Sequence, residues 1–144
     1  MLYGSETWAM TVEQKMRVER TERRMLRWMC GVSLRDKVSI RELRERMGIE
    51  AVLDVLRRGR LRWMGHVLRK DDDDWVKKCM MMEVDGERGR GRPTMMWRHL
   101  VEKDMRDVGL KMKDAVDRAR WRKLSWSVNG QPLRQRGKTV VKRL

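Results

Sequence analysis

The chain has 144 residues and a formal net charge of +15, from 36 Lys and Arg against 21 Asp and Glu. This length suits one compact domain, with or without a short tail. Such an excess of positive charge is typical of proteins that bind nucleic acid or an anionic surface. Hydrophobic residues make up 40% of the chain. That is enough for a core, which excludes a wholly disordered polycation.

Neither a disulfide framework nor a membrane segment is indicated. Cys30 and Cys79 are far apart in the sequence, which fits a reducing compartment. No apolar run reaches the roughly 20 residues that span a bilayer, and the first residues lack the features of a secretory signal. We therefore expect a soluble, intracellular protein with no membrane partner.

Helical periodicity recurs along the first half of the chain, whereas strand-like alternation is scarce. Capping boxes that begin at Thr11 and Ser39 predict the starts of two helices. Gly31 and Gly48 predict where these helices end. A third helix is predicted over roughly 52–70, so the pattern indicates an all-α fold.

The second half continues the helical pattern. Asp74 is expected to cap a short fourth helix through Met82, and Thr94 is expected to cap a fifth that ends at Gly109. A sixth helix is predicted over 113–124. Its apolar residues are expected to face inward: Ala115, Val116, Ala119 and Leu124.

The predicted architecture is a small orthogonal or bundle-like arrangement of about five to six helices over 1–124. The Gly- and Arg-rich segment 84–93 is expected to be a mobile loop inside it. Helical periodicity fades after Ser125. The remainder, 125–144, is therefore predicted to be a basic, disordered tail.

Three tryptophans lie on predicted helices. A tryptophan at helical spacing most often buries its ring in the core and bonds its N–H, and we expect this of Trp28 and Trp97. Trp63 lies off the apolar line of the third helix and is expected to be more open. It is therefore also a candidate platform for stacking of unpaired bases.

Five arginines of the third helix are candidates for contact with nucleic-acid phosphates. Such contacts give affinity without sequence choice. The alternative is a solvated helix face, but arginine outnumbers glutamate in this stretch, which favours contact. The five are Arg57, Arg58, Arg60, Arg62 and Arg69.

Arg88, Arg90 and Arg92 form a second set of candidates, in the Gly- and Arg-rich segment. The tetrapeptide Arg-Gly-Arg-Pro at 90–93 resembles an AT-hook, which lays arginines in the narrow minor groove of A·T-rich DNA. A phosphate-binding loop that leads into a helix N-terminus is the favoured interpretation. A flexible linker is the remaining alternative.

No metal, cofactor or catalytic residue is predicted. The acidic run 71–74 lies at a helical junction, where capping and solvation are expected, and not on the rigid framework that a metal pair needs. His66, His99, Cys30 and Cys79 are not at zinc-ligand spacing.

Several blocks of the chain occur in an order and spacing that carry a family resemblance. They include Leu-Tyr-Gly-Ser-Glu-Thr-Trp near the N-terminus and Arg-Leu-Arg-Trp-Met-Gly-His-Val in the third helix. The full set is 2–8, 24–32, 42–49, 60–67, 89–97 and 117–121. Together they resemble the region after the catalytic palm in the endonuclease–reverse transcriptases of non-LTR retrotransposons.

The resemblance implies a helical, thumb-like segment of an RNA-directed DNA polymerase, which grips template and primer or the target site. In that family the catalytic aspartates belong to the palm, and the first block lies just beyond it. We therefore expect a truncated fragment without catalysis of its own. Its expected partners are the RNA or DNA backbone and the missing palm and fingers, and its expected location is the nucleus.

Two other interpretations stay open at this point. One is a domesticated DNA-binding module led by the Arg-Gly-Arg-Pro hook, which would prefer A·T-rich duplex. The other is a decayed retroelement remnant with a molten, Met-rich core and unselective, salt-sensitive binding. A methionine at the edge of the first block and the unmatched segment after Ser125 suggest a truncated or decayed element.

Overall fold

The structure is a computed structural model that describes residues 2–82, 91 and 96–128, and the backbone of 131–132. These ranges contain α-helices, two short 3₁₀ helices at Ser5–Thr7 and Met112–Val116, and one antiparallel pair of short strands. The predicted all-α fold is confirmed. The α-helices are α1 (Val12–Met29), α2 (Ile40–Met47), α3 (Val52–Leu68), α4 (Trp75–Met81), α5 (Trp97–Asp107) and α6 (Arg118–Ser125), and the strands are β1 (Ser127–Val128) and β2 (Gln131–Pro132).

The first two helices begin with the local hydrogen bonds that capping predicts. At the start of α1 the Thr11 hydroxyl accepts the Gln14 N–H at 3.3 Å, and the Gln14 side chain accepts the Thr11 N–H at 2.8 Å. The Ser39 hydroxyl caps α2 by accepting the Glu42 N–H at 3.2 Å. The Glu42 carboxylate does not complete a box as predicted, because it pairs with Arg46 at 2.6 Å.

The ends of α4 and α5 also follow local chemistry. The Asp74 carboxylate accepts the Val76 N–H at 2.9 Å and so caps α4 as predicted. α5 follows Met96, and its predicted cap, Thr94, lies outside the described residues. Gly109 has a φ of 72° just beyond α5, a backbone conformation that favours glycine and ends helices.

α3 is the central helix and packs against α1, α5, α6 and both 3₁₀ helices. Beside it, the Trp121 ring is 3% exposed and donates its Nε1–H to the Leu61 carbonyl at 2.8 Å. Gly65 permits this approach, since a Cβ there would lie 2.6 Å from Trp121 Cε2. The surrounding buried cluster comprises Leu61, Met64, Val101, Met105, Val108, Leu110, Ala115 and Trp121.

The predicted sixth helix over 113–124 is wrong as a single element. Asp117 has extended backbone angles (φ −82°, ψ 95°), so the 3₁₀ helix stops there and α6 starts afresh. Its carboxylate accepts the Arg120 N–H at 2.9 Å, which is an N-cap. Val116, the last residue of the 3₁₀ helix, is 88% exposed. On α6 the break also changes which side faces inward, so Ala119 is exposed whereas Trp121 is buried.

The two tryptophans that the sequence places in the core have different outcomes. Trp97 is half-buried against the main cluster and donates its Nε1–H to the Glu6 carbonyl at 2.7 Å. Trp28 is 83% exposed, so its prediction is wrong. The inward side of α1 is set by Glu22 and Leu26, both buried. Trp28 follows Leu26 by two residues and therefore points about 200° away around the helix.

Residues 125–127 follow the helices closely and include two buried serines. Ser125 and Ser127 are 4% and 3% exposed, and the Ser127 carbonyl accepts a hydrogen bond from Arg57 at 3.0 Å. The mobile loop predicted over 84–93 falls outside the described residues, apart from Gly91. Most of the tail predicted over 125–144 falls outside them too.

Candidate nucleic-acid interface

Arg60 is the most deeply buried arginine among the sequence candidates. Its side chain is 4% exposed, and its Nε and Nη2 both donate to Asp104 Oδ2 on α5 at 2.7 Å. Removing one member of such a pair leaves an uncompensated buried charge. Arg60 therefore joins α3 to α5, and its guanidinium is not available to a phosphate.

Arg57 and Arg58 are also held by the protein. Arg57 pairs with Asp54 at 3.3 Å and donates to the Ser127 carbonyl at 3.0 Å. Arg58 pairs with Glu50 at 2.6 Å and lies over the Trp126 ring, 4.1 Å from its centroid. Both side chains are largely buried. Their guanidinium groups therefore stabilise the fold and offer little surface to a ligand.

Arg69 lies at the last turn of α3, half-buried, and donates to the Ala115 carbonyl at 3.1 Å. Burial and, to a lesser extent, the nearby Arg118 charge lower the pKa of the Arg69 guanidinium. Arg69 and Arg118 therefore repel each other electrostatically across the junction of α3 and α6. An anion placed between them would relieve that repulsion.

Arg62 differs from the other four candidates on α3. It is exposed, and its side chain has no hydrogen bond or ion pair to any described residue. Beside it, the Trp63 ring is half-buried and lies 5.7 Å from the His66 ring, with the two planes at 37°. Trp63 was expected to be more open than Trp28 and Trp97, but it is half-buried like Trp97 and less exposed than Trp28.

The free cation of α3 faces two cations of α6. Arg118 and Arg122 are one helical turn apart, exposed, and without an ion pair in the described part of the chain. Arg118 lines the same two open depressions as Arg62 and Arg69, with volumes of about 370 and 320 Å³, and Arg122 lines the second of them. We call this surface the α3/α6 groove: Arg62, Trp63, Arg69, Arg118, Arg122 and Trp126.

The charge of the α3/α6 groove is strongly one-sided. Among the described residues that line the two depressions, Glu6 is the one acidic residue, and it belongs to the N-terminal 3₁₀ helix. Volumes this small are at the low end for small-molecule pockets. An open, cationic channel with tryptophan in its wall suits a polyanionic chain better than an enclosed ligand.

Sequence reasoning did not select Arg118, Arg122 or Trp126. The signal was present in the run Arg-Ala-Arg-Trp-Arg-Lys at 118–123, where two arginines recur at helical spacing. That run served only the family resemblance, because the expected single helix over 113–124 assigned its faces incorrectly. The other candidates, Arg88, Arg90 and Arg92, lie outside the described residues.

Nearby lysines form ion pairs with carboxylates of the acidic run 71–74. Lys70 pairs with Asp74 at 2.7 Å and Lys77 with Asp72 at 2.7 Å. These hydrogen bonds are the largest effects that lower the pKa of both carboxyl groups.

The described residues contain no group of three His, Cys, Asp or Glu side chains placed to hold a metal ion. No helix among them is long and apolar enough to cross a membrane.

Comparison with known proteins leaves the groove as the main guide to function. No protein-family model matches the chain, and neither a curated protein nor a solved structure matches it. Function is therefore inferred from the charge, exposure and shape of the α3/α6 groove.

Proposed function

We propose that this chain is a nucleic-acid-binding module that holds the phosphate backbone of RNA or DNA in the α3/α6 groove, without catalysis of its own. The observation that carries the proposal is the convergence of cations from two helices on one channel. Arg62, Arg118 and Arg122 in that channel are exposed and unpaired within the described structure. Like charges so placed repel one another, and a bound polyanion offsets the repulsion.

The mechanism of binding is electrostatic. Each phosphate neutralised by an arginine releases condensed counterions, which gives affinity that falls with salt and does not depend on sequence. Phosphate contacts of this kind position the nucleic acid and leave base choice to other groups. Three arginines serve the same function indirectly by holding α3 against its neighbours. Arg60 pairs with Asp104 on α5, Arg57 donates to the Ser127 carbonyl, and Arg58 lies over the Trp126 ring.

The proposal extends to the origin of the module. The ordered sequence blocks resemble the thumb-like region that follows the palm in reverse transcriptases of non-LTR retrotransposons. In such an enzyme the α3/α6 groove would grip the template, the primer or the target site, and the module would work in the nucleus. The central α3 contains the whole of the block 60–67, and the same helix provides one side of the groove.

The test is a salt series of binding measurements on the full chain with the groove arginines removed. The variant is Arg62→Ala/Arg118→Ala/Arg122→Ala, and the ligands are a single-stranded RNA, an RNA–DNA hybrid and an A·T-rich DNA duplex of equal length. We expect the log–log slope of affinity against salt to become shallower by about 2 to 3, because each lost phosphate contact removes about 0.7 to 0.9. Circular dichroism of the variant should match the parent protein.

A matched control removes the same charge elsewhere. Arg17, Arg20 and Arg24 are exposed on α1 and have no ion pair within the described residues. Their triple alanine variant lowers the net charge equally but leaves the groove intact. Equal losses in the two variants would mean that net charge, and not the groove, gives the affinity, and the proposal would be rejected.

The exposed apolar side chains of α1 favour a second candidate, a fragment that docks on another protein domain. Trp28 is 83% exposed, beside Met25 at 48% and Met29 at 50%. Apolar patches of this kind mark protein contacts more often than nucleic-acid contacts. Sedimentation of the parent and of Trp28→Ser/Met29→Ser tests this candidate. Self-association that the variant loses, with nucleic-acid affinity unchanged, would support it.

A further inference from the structure

Trp126 is partly exposed, yet its ring is in contact with a largely buried cation. It directly follows α6 and is 45% exposed. The Arg58 guanidinium covers its ring, 4.1 Å from the centroid. Arg58 is itself fixed by its ion pair with Glu50 at 2.6 Å and is 19% exposed. The ring is therefore oriented by a rigid cation on one side.

The surroundings of Trp126 include an open space that Arg58 does not line. That space is bordered by Ala119, Arg122, Lys123 and Trp126. These residues are spaced i, i+3, i+4 and i+7, so they share one face along two turns of helix. The small side chain of Ala119 leaves room above the helix, and the two cations stand beside that room.

We propose that the free face of Trp126 is a stacking site for an unpaired nucleobase, with Arg122 and Lys123 on the adjoining phosphates. This inference rests on the proposed function and adds the ligand class: a single strand in preference to a duplex. A base inside a duplex has both faces covered by its neighbours, whereas an unpaired base offers a face to an aromatic ring. The site therefore selects strands whose bases are free.

Arg58 completes the arrangement from the other side of the ring. A guanidinium over an indole makes a cation–π contact, and it prevents the ring from turning away when a base approaches. The base, the indole and the guanidinium then form one stack. Glu50 anchors that stack to the start of α3, outside the groove.

The experiment compares Trp126→Ala and Trp126→Phe with the full parent chain. The probes are a single-stranded oligonucleotide, the same strand with abasic positions throughout, and a duplex of equal length. For Trp126→Ala we expect about a tenfold loss of affinity for the normal strand, the effect of one lost stacked base. We expect no loss for the abasic strand or the duplex. Trp126→Phe should keep most of the affinity, because a ring is retained.

A control and the contrary outcomes complete the design. Trp75 on α4 is 80% exposed and lies outside the groove, so Trp75→Ala should bind every probe as the parent does. Equal losses of Trp126→Ala for all three probes would assign Trp126 a structural role and overturn the inference. Unchanged binding of the normal strand would overturn it too. If the parent protein bound none of the probes, the proposed function itself would fail.

Discussion

Two stretches of this chain have almost the same sequence but opposite patterns of burial. Residues 60–63 read Arg-Leu-Arg-Trp on α3, and residues 118–121 read Arg-Ala-Arg-Trp on α6. In the first stretch the leading arginine is 3% exposed and the tryptophan is half-buried. In the second the leading arginine is exposed and the tryptophan is 3% exposed.

The difference arises from the position of each helix in the fold. α3 has neighbours on several sides. Arg60 and Arg57 therefore reach a carboxylate or a carbonyl on another element, whereas Arg62 faces solvent. α6 packs through the side that carries Trp121, and its other sides meet solvent. The same Arg-x-Arg-Trp motif therefore stabilises the fold through its leading arginine on α3, and on α6 that arginine is part of the candidate contact surface.

The largest expected effect is on the buried pair of α3. Arg60→Met leaves Asp104 buried without its partner, so we expect a loss of about 3–5 kcal/mol in the free energy of unfolding. Urea unfolding followed by circular dichroism measures it. The double variant Arg60→Met/Asp104→Leu should recover most of the loss. Arg118→Met should change stability by less than about 0.5 kcal/mol; comparable losses at both arginines would break the comparison.

The second prediction concerns the contact that joins the two stretches. Gly65→Ala would press a methyl group against the Trp121 ring, and overpacking of this kind costs about 1–3 kcal/mol. Gly59 lies on the same helix with no atom within 4 Å of an added Cβ. Gly59→Ala should therefore gain up to about 1 kcal/mol from helix propensity. Opposite signs in chemical unfolding support the close approach, and equal signs contradict it.

The third prediction tests what orients α6. Asp117→Ala removes the carboxylate that accepts the Arg120 N–H, and loss of such a cap costs about 0.5–2 kcal/mol. Thermal unfolding of this variant should show a lower midpoint. Asp117→Asn keeps an acceptor at the cap and should retain most of the stability. An alanine variant as stable as the parent would mean that packing of Trp121 alone sets the start of α6.

The smallest expected effect is a difference in the salt dependence of binding between an exposed arginine of α6 and an engaged arginine of α3. Arg118→Ala should reduce the log–log salt slope by about 0.7 to 0.9, the share of one phosphate contact. Arg58→Ala should leave the slope unchanged, because Arg58 is engaged by Glu50 and Trp126. Filter binding across a salt series distinguishes them. A change of slope at Arg58 with none at Arg118 would mean that Arg58, and not the α6 side of the groove, contacts the phosphates.

Helix starts were predictable because their causes are local. The hydroxyl of Thr11 and the carboxylate of Asp74 bond to amides within three residues, and this chemistry is visible in any short window of sequence. The all-α fold followed from the same windows. The break at Asp117 was missed because an acidic residue inside an apolar pattern also fits a continuous helix.

The faces of the helices were harder to predict because their partners are distant in the sequence. Asp104 lies 44 positions from Arg60, and Ala115 lies 46 positions from Arg69. Arginine count alone cannot reveal which guanidinium meets such a partner. The candidate site therefore retains Arg62, Trp63 and Arg69 from the sequence prediction. Arg118, Arg122 and Trp126 could be identified only from the packing of α6.

The hydrogen bond from Trp97 to the Glu6 carbonyl has a consequence for the making of the protein. The two residues are 91 positions apart. A ribosome that adds about 5–20 residues per second needs roughly 5–20 s to synthesise that stretch. During this time the N-terminal 3₁₀ helix has left the exit tunnel without the α5 tryptophan that will cover it. Glu6 is thus made well before the tryptophan that covers its carbonyl, and a nascent-chain chaperone would meet that carbonyl uncovered.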